Sequence, residues 1–223
     1  MGLAYGKNLT LRSCCEGVRP ALELGRRTLG PTHAAIASYQ TSLGVTLMER
    51  GDLSAAEALF RDSLAICRNS SVRTRNTATV LAAFGRLLIA RGAWQQAEPL
   101  LTESLALRQA QFGKSHPATA EALLNLAALR IDQKRCDEGV SLSREALAMT
   151  RQFLPERHAR TATAALGLAG ALKACGRGGE GQPLALEALR VRTELMPPGA
   201  WQIDEARRSV GRAQVTQRKA DNR

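Results

Sequence analysis

The chain has 223 residues, 44% of them hydrophobic but only 4% aromatic, so its core must be built from Leu and Ala rather than from large rings. Lys and Arg outnumber Asp and Glu by 31 to 20, a formal charge of +11, which bears on solubility and acidic partners rather than on fold. No apolar run approaches the ~18 residues needed to cross a bilayer, and Met1–Lys7 lacks the charged start and apolar run of a secretion signal. The expected location is cytoplasmic. The five cysteines (Cys14, Cys15, Cys67, Cys136 and Cys175) are odd in number and show no metal-ligand spacing. They are expected as free, small, buried residues in a reducing compartment.

In chain order, residues 1–13 carry little pattern. Residues 15–29 fit only the second half of a unit, with Leu22 and Leu24 standing 42 positions before Leu64 and Ile66. A register of 41 or 42 residues then recurs four times, over 33–71, 74–112, 116–154 and 158–196. A fixed period of this size marks an array of stacked units. Repeat 1 predicts helices near 34–49 and 53–69 around Gly51-Asp52, and repeat 2 helices near 75–90 and 94–111 around Arg91-Gly92. Repeat 3 breaks at Lys134-Arg135, and repeat 4 at Gly176-Arg177-Gly178-Gly179. Apolar residues spaced by three and four give each helix a buried stripe. Residues 200–216 read as a capping helix with a wet outer face, and 217–223 as a frayed tail. The expected fold is all-α, a single α-solenoid of antiparallel helix pairs over residues 1–223.

Aligned in register, Gly44, Gly85, Ala127 and Ala169 share one column, and Ala56, Ala97, Gly139 and Gly181 another twelve residues on. Side chains this small must recur where two helices cross closely. A turn glycine follows the first column by seven (Gly51, Gly92, Gly176), with Lys134 in its place in repeat 3. This arrangement resembles the tetratricopeptide repeat. The His-Pro-x-Thr-Ala-x-x-Leu-x-Asn-Leu-Ala opening of repeat 3, His116 to Ala127, resembles the longer subclass found in kinesin light chains and in bacterial regulatory proteins, including tails of some serine/threonine kinases. The resemblance covers residues 15 to 215 and implies a right-handed superhelix whose first helices line a concave, partner-binding groove.

By that resemblance the groove carries Thr41, Val45 and Met48 with Ser38 from repeat 1, and Thr79, Arg86 and Ile89 with Ala82 from repeat 2. Repeat 3 supplies Glu121, Leu124, Asn125, Ala128, Ile131 and Asp132, and repeat 4 Lys173 with Thr163, Leu166 and Gly170. The family often grips a peptide backbone with a ladder of asparagines; here Ser42, Ala83 and Gly167 replace all but Asn125. The lining suits an amphipathic helix, or another copy of the array, better than a clamped extended strand.

Other motifs have plainer readings. His33, His116 and His158 occupy one column just ahead of a helix. Stacked units set them a helix diameter apart, ~8–10 Å, too far to share a metal ion, so no metal is expected. Gly176–Gly181 spells a dinucleotide loop, but a predicted helix rather than a strand precedes it, so no cofactor is expected. The common catalytic motifs are missing from the sequence, and glutamates such as Glu57, Glu98, Glu103 and Glu121 read as solvated faces. Arginines gather near the ends of second helices (Arg68, Arg73, Arg75, Arg108, Arg151, Arg157, Arg160, Arg190, Arg192), where they complement the helix dipole. Single-strand binders add stacking aromatics, which are scarce here, and that argues against nucleic acid. The expected function is a non-catalytic scaffold for a protein or peptide, with self-association through the unpaired half-repeat at 15–29. The alternatives are a regulatory segment of a larger enzyme, such as a bacterial serine/threonine kinase, and a basic nucleic-acid-binding repeat.

Overall fold

The computed structural model describes residues 19–69, 75–198 and 200–210, which form ten α-helices. The helices are α1 (19–29), α2 (Ala34–Glu49), α3 (Leu53–Asn69), α4 (Arg75–Ala90), α5 (Trp94–Phe112), α6 (Pro117–Asp132), α7 (Cys136–Phe153), α8 (Ala159–Ala174), α9 (Gly178–Leu195) and α10 (Trp201–Val210). They pack as consecutive antiparallel pairs within two compact bodies, Met1–Gln111 and Phe112–Arg223. Cys14, Cys15, Arg73, the start of the half-repeat, the end of the expected cap and the tail lie outside the described residues.

The sequence sets both ends of each helix. His33, His116 and His158 are N-caps, and each imidazole Nδ1 accepts the backbone N–H two residues on, at 3.2, 3.0 and 3.0 Å. An orphan amide of the first turn is thereby satisfied three times over. Between paired helices the chain turns through a left-handed residue: Gly51 (φ 88°), Gly92 (72°) and Gly176 (75°). Lys134 adopts the same conformation in repeat 3, at φ 64°.

In the N-terminal body Ile36, Phe60, Leu81, Leu87 and Leu101 are fully buried. The glycine here belongs to the first helix of each pair. A Cβ on Gly44 would lie 2.6 Å from the Phe60 ring, and one on Gly85 would lie 2.5 Å from Leu101. Two buried hydroxyls fasten the pairs: Ser63 Oγ donates to Ala37 O at 3.2 Å and Ser104 Oγ to Ala78 O at 2.7 Å.

The C-terminal body moves the glycine to the second helix. A Cβ on Gly139 would meet Ile131 Cδ1 at 2.5 Å and Ala127 O at 3.0 Å, and one on Gly181 would meet Ala169 O at 2.9 Å. Ala146 and Ala188 occupy the serine column and are fully buried. At the end of this body α10 buries Ile203 and Ala206. Arg192, 4% exposed, reaches from α9 to Gln202 O (2.8 Å) and Glu205 (2.7 Å) on α10, and to Thr163 on α8 (3.2 Å).

Several expectations need correction. Cys136 and Cys175 are joined in a disulfide. Their positions explain it: both stand at turns of neighbouring repeats, where the buried-residue reading of cysteine does not apply. Cys67 is buried as expected. The glycine-rich break of repeat 4 is shorter than its composition implied, because Gly178 and Gly179 already belong to the first turn of α9. Arg108 and Arg192 are buried, not surface cations. They share the column of Cys67 and Thr150, which faces inward.

Candidate functional site

In the C-terminal body the first helices α6 and α8 lie side by side, each with its inward stripe committed to its own partner helix. Their remaining faces enclose a cavity of about 270 Å³. Leu124, Ala128, Ile131 and Asp132 come from α6, Leu166, Gly167, Gly170 and Ala171 from α8, and Ser143 from α7 forms part of the floor. The opening exists because α8 presents glycine twice on this face. Gly167 receives the Leu124 side chain, where a Cβ would stand 2.8 Å from Leu124 Cδ2, while nothing lies within 4 Å of a Cβ on Gly170. The wall is apolar apart from Asp132 at the rim and Ser143, whose hydroxyl is spent on Gly139 O at 2.9 Å.

Of the residues the sequence pointed to, Leu124, Ala128, Ile131 and Asp132 line this cavity, together with Leu166 and Gly170. Glu121, Asn125 and Lys173 sit on the same helices but outside the lining. Thr41, Val45, Met48, Thr79, Arg86 and Ile89 belong to the N-terminal body. There Thr41 is buried, with its hydroxyl donated to Ala37 O at 2.6 Å, Val45, Met48 and Ile89 are half-buried, and Thr79 and Arg86 are exposed. Ala171 and Ser143 were missed. Ala171 falls on the groove side one turn past Gly167, a signal the 3.6-residue period contains. Ser143 comes from a second helix, which the family pattern does not place in the groove.

Among the described residues several arginines are paired across neighbouring repeats. Arg68 pairs with Glu103 (3.6 Å), Arg144 with Glu180 (3.5 Å), Arg151 with Glu187 (3.5 Å) and Arg157 with Glu194 (3.9 Å). In each pair an arginine of one repeat, or of the loop that follows it, meets a glutamate 35 to 37 residues on, in the second helix of the next repeat. Glu57 likewise pairs with Arg61 and Arg91. These glutamates are therefore not simply solvated, as their spacing suggested. Arg177 and Glu180 are linked at 2.7 Å, which holds the Glu180 carboxyl below its usual range and raises the guanidinium. The Gly176–Gly181 segment follows helix α8, not a strand. Among the described residues no His, Cys, Asp and Glu are grouped to hold a metal ion, and no helix is long and apolar enough to cross a membrane.

Paired helices with a close small-residue crossing, a left-handed turn and histidine-capped first helices define a tetratricopeptide-repeat array, and the sequence profile of that family matches residues 14–69 and 76–152. The chain belongs to the tetratricopeptide-repeat family. Its fold is similar to that of BtubC (BKLC) from P. vanneervenii, with a TM-score of 0.62 and 16% identity over 100% of this chain and 94% of that one. It is also similar to the nearly identical TPR-like repeats of a putative kinesin light chain of Podosopora anserina, with a TM-score of 0.59 and 21% identity over 86% of this chain and 91% of that one; a singly substituted form of those repeats gives 0.61. At these identities the likeness is one of fold. No curated protein is significantly similar to this chain.

Proposed function

We propose that the chain is a non-catalytic interaction module whose α6–α8 groove takes an amphipathic helix from a partner protein. Tetratricopeptide-repeat domains typically bind proteins, and the observation that carries the finer reading is the apolar trough opened by Gly167 and Gly170. An extended peptide needs side-chain amides to hold its backbone, and the lining residues offer none. A helix satisfies its own backbone and needs only an apolar surface. Asp132 at the rim favours a basic residue beside the partner's apolar stripe. The internal pairing of Arg68, Arg151 and Arg157, with the burial of Arg108 and Arg192, weighs against a nucleic-acid partner. We place the chain in the cytoplasm, with the disulfide taken up below.

Gly170→Leu tests this reading, because the new side chain meets no neighbour at its Cβ yet fills the trough. Helical peptides selected against the intact chain are expected to lose binding to Gly170→Leu about 30-fold or more, with an unchanged melting curve. Equal binding to both proteins would move the site elsewhere. An Arg86→Ala/Lys173→Ala variant, altered outside the trough, is expected to keep most of the affinity.

A second contact is supported by α1, where Leu24 is 63% and Leu29 48% exposed, and which packs at Gly25 against the partly exposed Tyr39 of α2. Self-association through this face predicts a concentration-dependent dimer in light scattering that Leu24→Glu/Leu29→Glu abolishes. A wild-type chain that stays monomeric at high concentration would remove it.

A further inference from the structure

Cys136 is the first residue of α7, and Cys175 caps the C-terminus of α8. Both are half-buried, and their Cα atoms lie 5.7 Å apart, within the span of a disulfide. Backbone aside, the bond ties repeat 3 to repeat 4. It does so at one end of the groove. On the α8 side the Cys175 N–H donates to the carbonyl of Ala171, a lining residue, at 3.1 Å. On the α6 side Lys134 N–H donates to Ile131 O at 2.9 Å and Arg135 N–H to Arg130 O at 2.8 Å. The turn that carries Cys136 is thereby fastened to the last turn of α6, where Ile131 and Asp132 line the groove.

We propose that Cys136 and Cys175 form a reversible thiol–disulfide site, a staple across the two walls whose reduction by a low-molecular-weight thiol loosens the groove. The thiol that leaves most readily is Cys136. It sits at a helix N-terminus, whereas Cys175 caps a helix C-terminus, so the dipole favours the thiolate at Cys136, against the neighbouring carboxylates of Asp137 and Glu138. An external thiolate attacks Sγ of Cys175, the S–S bond breaks, and Cys136 departs as a thiolate, leaving a mixed disulfide on Cys175. A second external thiol displaces Cys175. Both protein sulfurs end as thiols and the two external thiols as their own disulfide, a two-electron exchange. The reverse reaction, with that external disulfide as oxidant, closes the staple. Exposed Lys134 and Lys173, each two residues before a cysteine, suit an anionic reagent of the glutathione class. In a reducing compartment a disulfide that exchanges in this way acts as a sensor rather than a permanent brace. Cys67 does not compete. It is 4% exposed, and burial pushes its thiol up, against a smaller opposite effect of the Thr77 side chain.

The test uses the full chain and two readouts. Tryptic cleavage after Arg135, Arg144, Lys173 and Arg177 separates the two cysteines into peptides 136–144 and 174–177. After equilibration with oxidised glutathione these are expected as one linked mass; after reduced glutathione, as two alkylated peptides. Hydrogen exchange then reads the groove. Reduction is expected to speed amide exchange in 131–136 and 171–175 about ten-fold or more, with little change in the middle of α7. Cys136→Ser/Cys175→Ser is expected to exchange fast with or without reductant. Should that variant fail to fold, the wild-type chain in its two states decides alone. Peptides that never link under oxidising conditions overturn the proposal, and so does linkage whose reduction leaves exchange unchanged. Neither readout uses a bound partner, so the outcome is separable from whether the groove binds a helix.

Discussion

The two bodies meet one geometric demand in opposite ways. In the N-terminal body the first helix gives up its side chain, at Gly44 and Gly85, and the second helix fills the gap with Phe60 and Leu101. In the C-terminal body the second helix gives it up, at Gly139 and Gly181, and comes close to the backbone itself at Ala127 O and Ala169 O. The first arrangement makes a crossing lined by large side chains and pinned by Ser63 and Ser104. The second draws the helices together on small residues. Glycine also opens the outer face of α8, where Gly170 stands at the position that Arg86 holds in α4. A repeat register therefore fixes where backbones come close, and leaves open which helix gives way and which face becomes a groove.

The most severe challenge to the register is Ala97→Arg. Ala97 is fully buried at the α4–α5 crossing, so the substitution both overpacks and strands a charge, a combination that costs upwards of about 4 kcal/mol. Calorimetry is expected to show loss of the cooperative transition of the N-terminal body; a parent-like melt would mean that the crossing lies elsewhere.

The contrast between the bodies is sharpened by glycine-to-alanine substitutions. Gly181→Ala presses on backbone atoms at 2.9–3.0 Å that no side-chain change can retract, and is expected to cost about 2–3 kcal/mol in urea unfolding. Gly44→Ala presses on the Phe60 ring, which can be trimmed. In a double-mutant cycle with Phe60→Leu the two losses should fall short of additive by about 1 kcal/mol or more. Additive losses there would erase the distinction.

Smaller effects test the caps and turns. His158→Ala is expected to cost about 1 kcal/mol and His158→Asn a few tenths, since asparagine also accepts from the first turn. Equal losses would assign the histidine another role. Lys134→Gly is expected to stabilise by about 1 kcal/mol by relieving a left-handed lysine, read as a rise in melting temperature.

The helix pairs were legible because their cause is local and repeated. Small-residue columns and turn glycines place α2 to α5 within a residue or two, and the breaks between the paired helices of repeats 3 and 4. Part of the α6–α8 cavity lining was legible through the family resemblance, which puts first helices on the concave face: Leu124, Ala128, Ile131 and Asp132 do line it. The disulfide was not, because nothing in Cys136 or Cys175 taken singly separates a bridge from a buried thiol. The pairing follows only once the turns of repeats 3 and 4 are stacked. The same holds for Arg192. Its charge reads as surface until α10 folds back with Gln202 and Glu205 to receive it. Its Nε is nonetheless buried with no hydrogen-bond partner, and its burial is a tertiary fact rather than a periodic one.

The central claim is that a partner helix docks in the trough between α6 and α8. Methyl NMR of the chain titrated with a selected helical peptide tests this directly. Shifts should concentrate on the methyls of Leu124, Ala128, Ile131, Leu166 and Ala171, and vanish in Gly170→Leu. Shifts centred on the outer faces of α7 and α9, with those five methyls unmoved, would contradict it.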